Sequence, residues 1–233
     1  MRITGTLQVE VWRQADGESE GGFETHTVTG VSPETTVLEL LDLLNEQMPE
    51  GMDPISYDDG CREGICGKCG VTVDGVAHGP QLNRASCQQQ VAAFTDGERV
   101  RIEPLRAAAF PVKKDLSVDK KAALRTVVKA AGGPVGMKAL TEAGCISCGA
   151  CVAACPNGSS MLFTAAKVAH LGLLPQGQPE RDTRVIDMIE AQDAAGFGGC
   201  TNAGECTTVC PKGIPLTLIG RLNTDYRNAL RKS

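Results

Sequence analysis

Hydrophobic and polar residues alternate in the first ordered segment: Leu7, Val9 and Val11 fall on one face of Thr6–Trp12, the period of a half-buried strand. Glu24–Val28 can pair with it after a glycine turn around Gly21 and Gly22. The period then lengthens. Val37, Leu40, Leu41, Leu44 and Met48 recur at helical spacing, with Ser32 as the expected N-cap and Pro33 as the first helical residue. Further on, Val71–Val73 and Val76–His78 flank Asp74-Gly75, the sequence of a two-residue type I′ turn, and Glu98–Glu103 reads as another strand. Strands around one helix predict an α+β first half.

Past Pro104 and Pro111 the texture turns Ala-rich and strand signals disappear. Helices are predicted over Val118–Ala131, ended by Gly132-Gly133, over Ser160–Leu171, ended by Gly172 and Pro175, and over Thr183–Ala195, ended by Gly196. A last helix begins near Pro215 and sets Leu218, Leu222, Tyr226 and Leu230 on one stripe, the pattern of a core or partner-facing seam.

Charge divides the chain at the same place. Residues up to Leu105 hold 7 Lys+Arg against 18 Asp+Glu, net −11, whereas the remainder hold 16 against 10, net +6. Two domains are therefore expected, 1–105 and 106–233, whose opposite charges suit docking or different partners. The basic half carries no aromatic-and-arginine platform, so no nucleic-acid partner is expected. No stretch approaches the 18 or so uninterrupted apolar residues of a membrane span. Residues 1–25 interleave Arg2, Glu10, Arg13, Asp16, Glu18 and Glu20 with apolar positions, unlike a secretory leader, and point to the cytoplasm.

Eleven cysteines and only eight aromatics among 233 residues change the picture. Cytoplasmic thiols stay reduced, so such a chain more often holds metal than disulfides, and metal would compensate for the thin supply of large core side chains. Cys61-x4-Cys66-x2-Cys69, followed by Cys87, has the plant-type spacing of a [2Fe–2S] cluster. Gly60, Gly64, Gly67 and Gly70 let that loop fold back with its amides close to sulfur. The competing zinc site usually presents C-x2-4-C pairs on knuckles.

Cys145-x2-Cys148-x2-Cys151-x3-Cys155-Pro156 is the bacterial ferredoxin run, whose fourth cysteine serves the other cluster of a pair. The second run follows as Cys200-x2-Ala203-x2-Cys206-x3-Cys210-Pro211, with alanine in place of its second cysteine. The crossover rule gives Cys145, Cys148, Cys151 and Cys210 to a [4Fe–4S] cluster. Cys155, Cys200 and Cys206 remain, and three thiolates beside a methyl group predict a [3Fe–4S] cluster. All eleven cysteines are then used. Neither a G-x-G-x-x-G fingerprint, a P-loop nor a nucleophile with a base is present, so no catalytic residue is expected and the chain reads as an electron carrier. His26, His78 and His170 are scattered and read as surface or core residues, Trp12 as core, and Lys212 as an exposed lysine or a cation beside a cluster.

The motifs CREGICGKCG at Cys61–Gly70, CISCGACVAACP at Cys145–Pro156 and CTNAGECTTVCPKG at Cys200–Gly213 closely resemble those of the iron–sulfur subunits of succinate dehydrogenases and fumarate reductases. The resemblance runs over nearly the whole chain. It implies a β-grasp plant-type ferredoxin domain followed by an all-helical bacterial-ferredoxin-like domain. It also implies a relay between FAD in a flavoprotein subunit and quinone at a membrane cytochrome b subunit with any heme b, on the cytoplasmic face of the membrane. Mitochondrial and enterobacterial relatives place an aromatic pair shortly after the first Cys-Pro and a histidine after the first cysteine of the second run. Here those regions read Asn157–Phe163 and Thr201, so their ubiquinone pocket does not carry over and menaquinone is the expectation. A soluble polyferredoxin and a structural zinc protein are the competing readings.

Overall fold

The computed structural model describes residues 5–93, 99–130, 144–173 and 179–232; Arg2, Glu98, Ala131, Gly132, Gly133 and Pro175, named above, lie outside them. The chain forms two compact units. Met1–Arg106 with Pro111–Asp119 make the first, and Ala107–Phe110 with Lys120–Ser233 the second.

In the first unit, strands β1 (Gly5–Arg13) and β2 (Gly22–Val31) pair antiparallel, with Leu7 opposite Val28 and Val11 opposite Glu24. β3 (Val71–Val73), β4 (Val76–Ala77) and β5 (Arg99–Pro104) complete a five-stranded sheet in the order β2-β1-β5-β3-β4. β5 runs parallel to β1, so the intervening chain must cross over the sheet. Helix α1 (Val37–Glu46) lies in that crossover and buries Val37, Leu38, Leu40, Leu41 and Leu44 in the same core as Leu7, Val9, Val11, Val100 and Ile102. A fully buried aliphatic side chain contributes about 1.5–3 kcal/mol, so this interface is the principal source of the unit's cohesion.

The N-cap of α1 is Thr36 and not Ser32. Thr36 and Glu39 form a reciprocal capping box, Glu39 N donating to Thr36 Oγ1 and Thr36 N to Glu39 Oε2. Ser32 instead closes a turn with Thr35. A non-local pairing sets the start: Val91 N donates to Thr35 O, and Val37 N to Gln89 O, so residues before Thr36 are held by the segment that follows Cys87. Asp74 and Gly75 both take positive φ (47° and 81°), as a type I′ turn requires.

Strands do not end at Pro111. β6 (Val112–Lys114) and β7 (Ser117–Val118) form a small hairpin, so Val118 belongs to a strand and helix α2 starts later, at Lys121–Ala130. Val112, Leu116 and Val118 are buried, a pattern too short to register as period two. Asp115 at its tip accepts from Arg13, Gln14 N and Ser56 N, which fastens the hairpin to the sheet unit.

The second unit is helical in its described residues. It holds α2, the short α3 (Ala150–Ala153), α4 (Met161–Leu173), α5 (Arg181–Ala194), the short α6 (Glu205–Thr208) and α7 (Thr217–Leu230). Leu162, Ala165 and Val168 of α4 meet Val185 and Met188 of α5 and Ile219, Leu222 and Ala229 of α7. The α7 seam is rotated from the expected stripe. Ile219, Leu222, Asp225 and Ala229 face inward, Leu218 and Tyr226 flank them, and Leu230 is exposed. Asp225 earns an inward place because Arg181 of α5 donates to it at 2.7 Å.

Candidate metal centres

The first cysteine group sits on the loop before β3 and on the 3-10 turn Ser86–Gln88. Gly64 takes φ +68°, a conformation costly for residues with a β-carbon, and the loop folds over Cys61. Glu63 N, Ile65 N and Cys66 N all donate to Cys61 Sγ at 3.3–3.4 Å, while Cys61 N donates to Cys66 Sγ at 3.5 Å. These amides, that of Glu63 first, pull the Cys61 thiol down to about 7. Cys69 and Cys87 lie side by side in the core; their mutual hydrogen bond, aided by the Gly64 amide, lowers Cys87 to about 6 and raises Cys69. Cys66 also acts electrostatically on Cys69, so the fold gathers all four thiols of this group. A nest of amides on anionic sulfur suits a [2Fe–2S] core, whose bound sulfurs carry negative charge.

Two side-chain networks that the spacing of cysteines gives no hint of hold this loop. Arg62, at φ +54°, forks onto both oxygens of Asp42 in α1 and onto Asp59, and Tyr57 also donates to Asp42. The guanidinium keeps Asp42 below the ordinary aspartate range. Behind the 3-10 turn, buried His78 joins Ser86 through Nδ1 at 2.8 Å, and Val71 N donates to the same hydroxyl. Asp42→Ala is expected to release the loop. A partly exposed ion pair contributes only about 0–1 kcal/mol, so the overall melting temperature should barely move, whereas chelator-driven loss of the [2Fe–2S] absorption should accelerate several-fold.

The two later runs are related by a 55-residue repeat that extends to the backbone. Ser147 and Asn202, each two residues after a run's first cysteine, take φ +56° and +61°. Asn202 N donates to Cys200 Sγ at 3.4 Å, and the Ser147 amide bonds Cys145 in the same way. Gly149 and Gly204 are the left-handed N-caps of α3 and α6. A β-carbon at Gly149 would lie 2.7 Å from the Phe110 ring, which closes that position to larger residues.

The run order does not match the grouping in space. One cavity is lined by Cys145, Cys148, Cys151 and Cys210; another by Cys155, Cys200, Cys206 and Ala203. Each run therefore sends its last cysteine to the other cavity. Burial pushes the Cys148 thiol up to about 11 and that of Cys151 well above the usual range, with neighbouring thiols adding to both. Four such thiols cannot ionise together without cationic compensation, which iron would supply. Burial likewise raises Cys145, which Lys167 opposes. Lys167 is itself buried, on α4, and donates to Cys145 O at 2.8 Å. Lys212 borders the first cavity and is exposed.

All eleven cysteines are unbridged. Among the described residues no trio of His, Cys, Asp or Glu is drawn tight enough for a single ion; thiolates around a polynuclear core stand further apart, with iron and sulfide between them. Thr201 lines the three-thiol cavity and accepts from the Asn157 amide at 2.8 Å, so the two departures noted in the sequence touch each other. His26 lies beside Glu24 on the sheet, and His170 is half-buried in the last turn of α4. Trp12 is half-buried, edge-on to Phe23 and beneath the Arg106 guanidinium.

A thiol-lined loop on a mixed sheet and a doubled thiol repeat among helices define a two-part iron–sulfur protein. The models of two families agree: a 2Fe-2S iron-sulfur cluster binding domain matches residues 8–125, and a 4Fe-4S dicluster domain matches residues 141–214. A fumarate reductase iron-sulfur subunit of Mycobacterium tuberculosis is 33% identical, covering 92% of this chain and 90% of its own length. The succinate dehydrogenase iron-sulfur subunit of Bacillus subtilis is 28% identical over 76% of this chain and 74% of its own. A chain of the Mycobacterium smegmatis Sdh1 complex in the apo form shares the fold, with a TM-score of 0.68, 22% identity and 96% of each chain covered. The protein belongs to the family of succinate dehydrogenase and fumarate reductase iron–sulfur subunits.

Proposed function

We propose that this chain is the electron-transfer subunit of a membrane-bound succinate:quinone oxidoreductase, with a β-grasp [2Fe–2S] domain at 1–105 and a bacterial-ferredoxin-like domain at 106–233, of which Pro111–Asp119 belongs to the first compact unit. Cys61, Cys66, Cys69 and Cys87 would hold the [2Fe–2S] cluster, Cys145, Cys148, Cys151 and Cys210 the [4Fe–4S] cluster, and Cys155, Cys200 and Cys206 the [3Fe–4S] cluster. The observation that carries this reading is the exchange of terminal cysteines between the two cavities, which leaves Ala203 alone at the fourth corner of one.

When bound, the clusters supply reversible one-electron chemistry. The chain's own residues do the rest. Amides of Glu63, Ile65 and Cys66 favour negative charge on Cys61, and core packing around Cys69 and Cys87 keeps water from that side of the loop. In the helical unit, Leu162, Phe163 and Ile214 line the four-thiol cavity with apolar surface. At the three-thiol cavity Cys200 and Ala203 are exposed, whereas Cys148 and Cys210 of the four-thiol cavity are buried, so the former suits exchange with an external acceptor.

In this reading, electrons pass between FAD in a flavoprotein partner and quinone beside the three-thiol cavity, at a cytochrome b anchor that carries any heme b. No helix among the described residues is long and apolar enough to cross a membrane. Attachment would come through that anchor, on the cytoplasmic face of the membrane. Asn157–Phe163 and Thr201 stand where ubiquinone-linked relatives have an aromatic pair and a histidine, so menaquinone is the quinone proposed. Fumarate reduction is the same relay run backwards, and relatives named for it support that alternative.

Potentiometric EPR on the native complex tests the assignment. The expected result is three iron–sulfur signals, one of them from a three-iron centre. Zinc without acid-labile sulfide, or isolation as a lone 24.4 kDa species free of flavoprotein and cytochrome, would overturn it.

A further inference from the structure

Lys167 is placed where few lysines are. It lies mid-way along α4, is 1% exposed, and its ammonium reaches the carbonyl oxygen of Cys145 at 2.8 Å. One turn earlier, Leu162 and Phe163 line the cavity of Cys145, Cys148, Cys151 and Cys210. Burying an ammonium is costly unless negative charge or acceptors lie close.

An iron–sulfur centre gains negative charge when it takes up an electron. A fixed cation in a low-dielectric site therefore stabilises the reduced form, and does so more strongly than a solvent-screened one such as exposed Lys212. The carbonyl contact adds position to charge: it anchors the ammonium to the backbone of the first ligand and fixes its distance from the sulfurs. Resting on the ligand assignment above, we propose that Lys167 is a positioning residue that raises the reduction potential of the four-thiolate centre through its buried charge.

The test is potentiometric EPR of all three clusters in the intact complex carrying Lys167→Gln or Lys167→Arg. Glutamine keeps an N–H donor for Cys145 O but removes the charge; arginine keeps the charge. At a fixed potential, Lys167→Gln is expected to shift the reduced-to-oxidised ratio of the four-iron centre about tenfold toward oxidised, equivalent to about 59 mV for one electron. Lys167→Arg should stay within about threefold of the parent, and the [2Fe–2S] midpoint serves as the internal reference. An unmoved four-iron midpoint in Lys167→Gln overturns the inference, as does an equal shift in Lys167→Arg. Loss of the four-iron centre from Lys167→Gln, with or without loss from Lys167→Arg, would assign the residue to assembly or packing and also overturn it. A parent complex without a four-iron signal would defeat the ligand assignment itself, whereas a normal parent with an indifferent Lys167→Gln defeats only the role of Lys167.

Discussion

Ala203→Cys is expected to turn the three-iron centre into a second four-iron centre. Ala203 lines the cavity of Cys155, Cys200 and Cys206, and its backbone sits between Asn202 and Gly204, whose positive φ values match those of Ser147 and Gly149 around Cys148. A thiol there would occupy the position that Cys148 holds in the other run. The residue is exposed, so the added sulfur meets no packed core. The EPR signal of the oxidised three-iron centre should disappear and a new signal appear on reduction. The added iron and thiolate should lower the midpoint by roughly 120 mV, about a hundredfold in the one-electron equilibrium. Turnover to quinone should fall about tenfold if half of that free-energy change appears in the barrier. Ala203→Ser, which offers a weaker ligand in the same space, should keep the three-iron signal. Persistence of that signal in the cysteine variant would show that the corner is closed for another reason.

Single removals of Cys155 and Cys210 should have opposite spectroscopic effects. If the cavities are filled as their linings indicate, Cys210→Ala strips the four-iron centre of a ligand while the three-iron signal survives, and Cys155→Ala does the reverse. Assignment by sequence run would give the mirror-image result. Either variant breaks the relay, so succinate-to-quinone turnover should drop by about a hundredfold or more, roughly 2.7 kcal/mol on the barrier. Quantitative EPR beside turnover decides between the two connectivities.

Much of this was legible because cysteine spacing is a local signal with a chemical meaning. The three groups, the vacant corner at Ala203 and the exchange of Cys155 and Cys210 follow from spacing and the crossover rule, and the cavity linings group the same thiols. The type I′ turn at Asp74-Gly75 was legible for the same reason, since two adjacent positive φ values leave few residue choices. What escaped depends on distant partners. Ser32 has the chemistry of an N-cap, yet residues 89–91 pair with Thr35 and Val37 and move the helix start to Thr36. The α7 stripe was misplaced because Asp225, polar by type, turns inward to meet Arg181. Arg62 with Asp42, His78 with Ser86, and Lys167 with Cys145 join residues 20, 8 and 22 positions apart, and no pattern along the chain announces them.

The exchange of terminal cysteines would also make the inorganic cores into staples. On the proposed assignment, a cut anywhere between Pro156 and Gly199 would leave each core gripping donors from both fragments, so iron would hold the pieces together in addition to the packing among α4, α5 and α7. On that assignment neither core of the helical unit can be completed before Cys200–Cys210 is made, whereas the thiols of the first unit are all in place by Cys87.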